Sequence, residues 1–382
     1  MERFTREPMI KTVLLPTLLL ICLGFINVLG QQQDEQWHHI NPYFKVPTAY
    51  KDSLGPYRSL LFLPDSRLIQ TPQAWRERRE VIKRNWHQMM GPWPALIQNH
   101  PLNIIDSIDK VDLIQYRISL QWTPGESTQG YLLVPKTEEK KPAVITVYYE
   151  PETAIGEGKP HRDYAIQLAQ RGFVTLSLGS TEATAAKTYA LYHPSIDAAE
   201  VQPLSMLAYA AANAWHALSL HPSVDSTRIG IVGHSFGGKW AMFASCLFEK
   251  FACAAWSDPG IMLQNDRPSI NYWEPWYLGY HPKPWRERGL ITADNPAKGL
   301  YPDLVAKGHN LHELHALMAP RPFLVSGGSE DPVSRWQALN HSVAVNQLLG
   351  YEHRVGMTNR PDHSPNAQAN EVIYQFFMYF LK

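Results

Sequence analysis

The stretch that decides the fold runs Ile229-Gly230-Ile231-Val232-Gly233-His234-Ser235-Phe236-Gly237-Gly238. An apolar, β-branched run leads into Gly-x-Ser-x-Gly, and the small-residue segment from Lys239 to Phe248 has a helical pattern. This layout predicts a nucleophile elbow, a sharp strand-to-helix turn that holds Ser235 above a sheet. Glycine is needed on both sides because the backbone is strained and crowded there. The helix N-terminus directs free N–H groups at a developing oxyanion, so we predict that Ser235 is a catalytic nucleophile.

The pattern on either side of the elbow alternates between strand and helix. Ala143–Tyr149 is a nearly continuous apolar run, as in a buried strand, and Leu204–Leu220 is an Ala-rich helix leading into the elbow strand. Leu113–Gln121 and Gly130–Val134 are predicted to pair as antiparallel strands. The alternation predicts an α/β fold, with a mostly parallel central sheet and helices on both faces. Further predicted elements are strands at 173–178, 251–256, 322–326 and 353–357, and helices at 162–170, 309–318, 334–350 and 366–381.

Charge and the N-terminus limit the partners and the compartment. The 382 residues carry no formal net charge, so composition favours neither nucleic acid nor an anionic membrane as a partner. Arg3, Arg6 and Lys11 precede an apolar run from Val13 to Leu29, which predicts a signal peptide over residues 1–30. An uncleaved membrane anchor is the alternative. Either way the folded part is expected to be secreted or periplasmic.

The rest of the chain divides into two predicted parts. Residues 31–110 form an N-terminal extension that packs on the main domain, and residues 111–382 form the catalytic domain. The extension contains a predicted helix from Pro72 to Met90, with Thr71 as N-cap and Gly91 as the stop. Cys246 and Cys253 have apolar neighbours, so they are predicted to be buried free thiols rather than a disulfide.

A serine nucleophile needs a histidine base and a carboxylate to orient it. In elbow-type hydrolases these residues follow the serine in the order acid, then histidine. Asp331 lies in the loop after the predicted strand at 322–326, at the edge where α/β sheets place their sites, with Glu330 in reserve. His363 lies in the loop before the last helix. We therefore predict a Ser235–Asp331–His363 triad.

The remaining predictions concern the oxyanion and the substrate. The Phe236 N–H is one predicted oxyanion donor, and the backbone of Tyr149 or Glu150 is the other. A long aromatic-rich excursion follows the strand after the elbow unit, so it is expected to reach over the serine. Its aromatic rings could stack on a sugar or simply pack the loop. The predicted substrate-binding residues are Lys239, Trp256, Trp273 and Trp276.

No metal or cofactor is predicted. His309, His312 and His315 recur at the spacing of one helix face, but no nearby cysteine or aspartate completes a zinc set. Helix packing and capping are the preferred interpretation of these histidines. Asp258 and Asp303 are considered only as loose calcium ligands.

The elbow, the order of elements and the terminal loop resemble the α/β-hydrolase superfamily over residues 111–382. Gly-His-Ser-Phe-Gly-Gly-Lys-Trp and Ala319–Val325 also resemble secreted bacterial dienelactone-hydrolase-like and acetyl xylan esterase-like proteins. There is a more distant likeness to glucuronoyl esterases, which share Lys239 but carry arginine where this chain has Phe236.

The resemblance implies a secreted serine hydrolase that cleaves carboxylic esters, acyl groups on carbohydrate in particular, through an acyl-enzyme. The expected partner is then a small-molecule or carbohydrate ester. Three alternatives stay open. They are a glucuronoyl-type esterase, a peptidase of the prolyl-oligopeptidase type, and a catalytically silent carbohydrate-binding protein.

Overall fold

The computed structural model describes residues 33–63, 67–181 and 190–382. The signal peptide predicted for residues 1–30 lies outside these ranges. Within them, the strands are β1 (Asn103–Asp109), β2 (Leu113–Thr123), β3 (Glu126–Pro135), β4 (Lys141–Tyr148), β5 (Val174–Gly179), β6 (Val224–His234), β7 (Cys253–Ser257), β8 (Phe323–Gly327) and β9 (Val355–Asn359). These nine strands form one sheet in the order β1-β2-β3-β5-β4-β6-β7-β8-β9.

The sheet has an antiparallel edge and a parallel centre. Strands β1, β2, β3 and β5 pair antiparallel in succession. Strands β5, β4, β6, β7, β8 and β9 pair parallel, so the carboxyl ends of six strands meet at one edge. The predicted mostly parallel sheet is confirmed. Strand β1 was not predicted, because all seven of its residues are exposed and it therefore lacks an alternating apolar pattern.

Helices cover the sheet. Those whose bounds the structure describes are α1 (Pro72–Met90), α2 (Tyr164–Gln170), α3 (Pro203–Ser219), α4 (Phe236–Leu247), α5 (Leu300–Ala306), α6 (His312–Ala316), α7 (Trp336–Leu348) and α8 (Ala367–Leu381). Helix α4 begins directly after β6, as the elbow requires, and the predicted helices occur in the predicted order, whereas α5 was not predicted. Within the described ranges, no helix has the length and apolar character needed to cross a membrane.

Helix α1 has the predicted bounds for the predicted reasons. Thr71 Oγ1 accepts from the Ala74 N–H at 3.2 Å, and Gly91 ends the helix with φ 88°. The buried face of α1 packs on the body of the protein, where the Trp86 indole donates to Glu313 Oε2 at 2.8 Å. The segment before and including α1 is therefore joined to the sheet domain by buried contacts. Its status as a separate extension stays a prediction.

The excursion between β7 and α5 is ordered by buried polar contacts rather than by regular structure. Glu274 and Arg286 form an ion pair at 3.1 Å with both side chains 1% exposed. Gly279 approaches the backbone so closely that a Cβ there would lie 1.7 Å from Trp273 O. Cys246 on α4 and Cys253 at the start of β7 are buried and free, which confirms the thiol prediction.

Candidate active site

The elbow places Ser235 in a strained turn between β6 and α4. Its φ is 57°, a value that non-glycine residues rarely adopt, and its N–H donates to Ser257 O at 2.8 Å. A Cβ on Gly233 would lie 2.2 Å from Gly237 O. A Cβ on Gly237 would lie 1.9 Å from Val147 O. The two glycines of the pentapeptide are therefore needed for backbone contact, as predicted.

His363 lies between Ser235 and a buried carboxylate. It comes from the loop between β9 and α8, and its Nε2 is 2.8 Å from Ser235 Oγ. Its Nδ1 is 2.7 Å from Asp258 Oδ2. An ionised carboxylate only accepts, so Nδ1 carries the hydrogen and Nε2 accepts from the serine hydroxyl. This arrangement prepares the serine for proton removal.

The prediction that Asp331 orients His363 is wrong. The carboxylate on His363 belongs to Asp258, which follows β7 rather than β8 and has φ 47°. Because β7 and β8 are parallel neighbours, both loops open at the same edge of the sheet. The positive φ turns the Asp258 side chain toward His363. Glu330, the reserve candidate, accepts instead from Ser269 Oγ and pairs with Arg267.

Asp258 and Asp331 each hold the loop that carries the other. Asp258 Oδ1 accepts from the Gly328 N–H at 2.6 Å and the Asp331 N–H at 2.9 Å. Asp331 Oδ2 accepts from the Gly260 N–H at 2.8 Å, and its Oδ1 accepts from the Ile261 N–H at 2.6 Å. We call this pair of loops, with its two carboxylates, the reciprocal brace. Asp331 thus binds the turn that follows Asp258, and it does not contact His363.

Burial sets the protonation behaviour of the brace. Both carboxylates are fully buried. Burial raises the pKa of Asp331 to about 6, and the negative charge of Asp258 adds to the increase. The positive charge of Arg335, whose Nε is 3.5 Å from Asp331 Oδ1, partly lowers that pKa again. Burial therefore favours the protonated form of Asp331 at mildly acidic pH.

Lys239 and Tyr272 hold the acid turn from its other side. Lys239 Nζ donates to Pro259 O at 2.5 Å, and the Tyr272 hydroxyl donates to Gly260 O at 2.8 Å. Burial lowers the pKa of Lys239 to about 8. The ammonium group is 4.9 Å from the centre of the Tyr272 ring, so the ring also stabilises its charge.

A second polar group supports His363 from the sheet side. Arg360 donates to His363 O at 2.8 Å and to Ser326 O at 2.8 Å, and so ties the histidine loop to β8. His234 packs beside His363, with ring centres 4.8 Å apart, and its Nδ1 lies 3.1 Å from Ser257 Oγ. Burial lowers the pKa of His234 well below its usual range, which keeps this neighbour neutral.

Phe236, the first predicted oxyanion donor, follows the nucleophile directly, and the Tyr149 ring contacts it. Phe236 is the first residue of α4, so its N–H is one of those that the helix leaves unpaired. The Tyr149 ring stacks on the Phe236 ring at 4.2 Å with an interplanar angle of 9°. This contact holds the loop directly after β4, which begins with Tyr149 and Glu150, against the start of α4. The assignment of Tyr149 or Glu150 as the second donor stays a prediction.

The structure buries the residues predicted to bind substrate. Trp256 is 0% exposed on β7, where it stacks on Phe323 and donates to Ser245 Oγ, so its assignment as a substrate contact is wrong. Trp273 is also fully buried, and its indole donates to Gly289 O, so that assignment is wrong as well. Lys239 binds Pro259 O instead of facing solvent. Trp276, 6% exposed beside Arg288, stays a prediction.

The three spaced histidines have separate packing partners. His309 Nδ1 is 2.9 Å from Glu313 Oε2, and His312 Nε2 is 2.9 Å from Arg58 O. His315 is buried against Trp256, with ring centres 5.4 Å apart. Among the residues that the structure describes, no group of three or more metal-binding side chains comes together.

Sequence comparison adds no relative, whereas structural comparison gives many. Neither a scan against protein-family models nor a search of curated proteins gave a match. Among solved structures, a glucuronoyl esterase from Solibacter usitatus has a TM-score of 0.67 at 14% identity, covering 88% of this chain and 99% of that one. A CE15 glucuronoyl esterase from Teredinibacter turnerae T7901 has a TM-score of 0.60 at 16% identity, covering 92% and 99%.

A third solved structure has a lower TM-score and is described as an acetyl xylan esterase, a type that the sequence motifs also resemble. A putative acetyl xylan esterase from Bacteroides fragilis NCTC 9343 has a TM-score of 0.54 at 15% identity, covering 80% of this chain and 83% of that one. At identities this low, structural likeness establishes architecture and leaves chemistry to the site itself. The chain therefore has the α/β-hydrolase fold.

Proposed function

We propose that this protein is a serine ester hydrolase acting on carbohydrate esters, with Ser235 as nucleophile, His363 as base and Asp258 as acid. The observation that carries the proposal is the hydrogen-bonded series Ser235–His363–Asp258, with distances of 2.8 and 2.7 Å. A catalytically silent protein would not require a strained serine aligned with a buried His–Asp pair. The likeness to solved carbohydrate esterases supports the substrate class.

The reaction proceeds in two steps. His363 Nε2 takes the hydroxyl proton of Ser235 while Oγ attacks the ester carbonyl, and Asp258 stabilises the imidazolium that forms. The tetrahedral oxyanion accepts from the Phe236 N–H and from a backbone N–H at the end of β4. The alcohol leaves with the proton from His363. Water, activated by His363, then releases the acid and restores Ser235.

The proposal is tested by ester hydrolysis with the purified protein and its Ser235→Ala variant. The substrates are acetylated xylan, methyl glucuronate esters, feruloyl sugars and a short-chain aryl acetate. Release of acid by the wild type from at least one carbohydrate ester, and loss of that release in the folded variant, would support the assignment. Turnover by Ser235→Ala equal to that of the wild type would refute the nucleophile. Cleavage of peptides but of no ester would favour a peptidase.

We also propose that residues 1–30 are an export signal, and that residues 31–110 form an extension packed on a catalytic domain of residues 111–382. Arg3, Arg6 and Lys11 before the apolar run support secretion or periplasmic export. A secreted location suits an enzyme whose substrate is a polysaccharide ester outside the cell. N-terminal sequencing of the exported protein tests it, since cleavage before Gln31 is expected.

A further inference from the structure

A cleft lies at the end of the molecule away from Ser235. It has a volume of about 540 Å³ and runs between residues 44–54 on one side and α7 with the loop to β9 on the other. We call it the α7 cleft. Val355, which begins β9, lines it, whereas Asn359 at the other end of β9 leads toward the histidine loop. At ~3.3 Å per residue, these two ends lie about 13 Å apart, so a ligand in the cleft would not touch the nucleophile.

Two buried amides lie on the wall of the cleft with unpaired carbonyl oxygens. Asn340 and Asn346 line it and are 5% and 3% exposed. Asn340 Nδ2 donates to Tyr50 O and Ser53 O, and Asn346 Nδ2 donates to Ser342 O. These bonds to carbonyl acceptors fix which amide atom is nitrogen. Within the described ranges, both Oδ1 atoms lack a partner and are buried from solvent, so they make the wall polar without reaching a ligand in the cleft.

Three cationic side chains line the cleft, and within the described ranges none of them is ion-paired. The Arg354 guanidinium carbon lies 5.2 Å from the centre of the Tyr351 ring and 5.8 Å from that of Phe380. In the part of the chain that the structure describes, Arg354 forms no ion pair, and neither do Lys45 and Lys51 across the cleft. A guanidinium fixed over aromatic rings, with its terminal nitrogens unpaired, matches the planar fork of a carboxylate.

The rest of the lining argues against a ligand that carries several negative charges. Asp52 and Glu352 also line the cleft, so its net charge is only slightly positive. Their oxygens accept from hydroxyl groups, and they repel a doubly charged phosphate more strongly than a singly charged carboxylate. Tyr351 is 40% exposed and offers an aromatic surface to an apolar sugar face. The lining therefore combines sites for one carboxylate, for several hydroxyls and for a flat apolar surface.

We propose that the α7 cleft is a second binding site, separate from Ser235, for a uronic acid residue of an oligosaccharide. Arg354 binds the carboxylate with help from Lys45 and Lys51, and the exposed Asp52 and Glu352 carboxylates accept from sugar hydroxyls. The volume is within the range of ~300–1,000 Å³ that small-ligand sites occupy, and it suits one or two sugar rings. The site would hold an acidic polysaccharide on the protein whether or not an ester is being cleaved.

The test is equilibrium binding by calorimetry to the folded Ser235→Ala protein, so that no ester turnover intervenes. The ligands are a disaccharide bearing one glucuronate, a neutral disaccharide of the same size, and inorganic phosphate. The uronate is expected to bind saturably and at least tenfold more tightly than the neutral sugar or phosphate. Arg354→Gln should weaken uronate binding at least tenfold, while Arg84→Gln, an exposed arginine on α1, should leave it unchanged.

Two further measurements separate this site from the catalytic one. Arg354→Gln, made with Ser235 intact, should hydrolyse a short aryl acetate at the wild-type rate. Should that variant fail to fold, Lys51→Gln removes an exposed charge instead and should weaken the uronate severalfold. Equal affinity for the neutral sugar or for phosphate, an unchanged affinity in both cleft variants, or no saturable binding of the uronate would overturn the proposal.

Discussion

Replacing each buried aspartate in turn by asparagine tests which of them orients the histidine, because both hold a loop but only Asp258 contacts His363. Asp258→Asn removes the charge that faces His363 Nδ1 at 2.7 Å and allows the wrong histidine tautomer. In serine protease triads this change lowers kcat about 10⁴-fold with the geometry intact. At ~1.36 kcal/mol per tenfold, that corresponds to about 5 kcal/mol of lost transition-state stabilisation. We expect a loss of the same order here.

Asp331→Asn should behave differently because Asp331 does not contact His363. Its two oxygens each accept one backbone N–H, from Gly260 and Ile261, whereas an amide offers a single acceptor oxygen. One buried donor therefore loses its partner, at a cost of about 1–3 kcal/mol in the free energy of unfolding. Through a slight shift of the acid turn, kcat should fall less than ~100-fold, or about 3 kcal/mol.

The assay compares kcat and KM on an aryl acetate for the two variants, with the free energy of unfolding measured by urea titration. Asp258→Asn should lose far more activity than Asp331→Asn. Both should remain folded at the assay temperature, which circular dichroism checks. The reasoning would be refuted if Asp331→Asn were the more damaging change while both proteins stayed equally folded, since Asp331 would then be the acid in solution.

Three further results are expected from the same structure. Gly237→Ala should abolish activity and lower stability, because the added Cβ would lie 1.9 Å from Val147 O; wild-type rates in that variant would contradict the elbow geometry. Trp256→Phe should lower the free energy of unfolding by about 1–3 kcal/mol, through the lost bond to Ser245 Oγ, and leave KM unchanged; a raised KM would restore Trp256 as a substrate contact. The folded-state pKa of Asp331 is about 6 against 3.8 for the free group, so between these values the folded state holds more protons than the unfolded chain. Stability should therefore fall from pH 4 to about 6 relative to Asp331→Asn, and urea titrations showing the opposite slope would contradict burial as the cause.

The fold could be predicted because its signals are local. Continuous apolar runs such as Ala143–Tyr148 mark buried parallel strands, and the Thr71 cap and Gly91 stop mark the ends of α1. The Gly-x-Ser-x-Gly turn is dictated by backbone contact at Gly233 and Gly237, which any sequence with this elbow must satisfy. Strand β1 was missed because it forms through backbone pairing with β2, and its own composition carries no strand pattern.

The acid could not be chosen from the sequence because two loops offer the same chemistry. Asp258-Pro259 and Asp331-Pro332 both follow strands whose carboxyl ends open at the same edge of the sheet. The order serine, acid, histidine fits either one. The choice depends on the positive φ of Asp258 and on which loop lies next to His363, and both arise from tertiary packing.

The burial of the tryptophans was missed for a related reason. Aromatic residues enriched in a loop can face a ligand or the loop's own interior, and composition is the same in both cases. Here Trp273 packs inside the excursion, because the Glu274–Arg286 ion pair and the close approach at Gly279 fold that segment on itself.

The reciprocal brace also makes the two loops a single unit of motion. The amides of Gly260 and Ile261 are bound by a carboxylate from one loop, and those of Gly328 and Asp331 by a carboxylate from the other. Opening either loop frees donors in both, so these four amides should exchange their hydrogens with solvent at one common rate. A ligand bound at Ser235 should hold His363 more firmly on Asp258 and so slow the exchange of all four amides together. Two of them, those of Gly328 and Asp331, lie on the Asp331 loop, which does not contact His363 through its carboxylate.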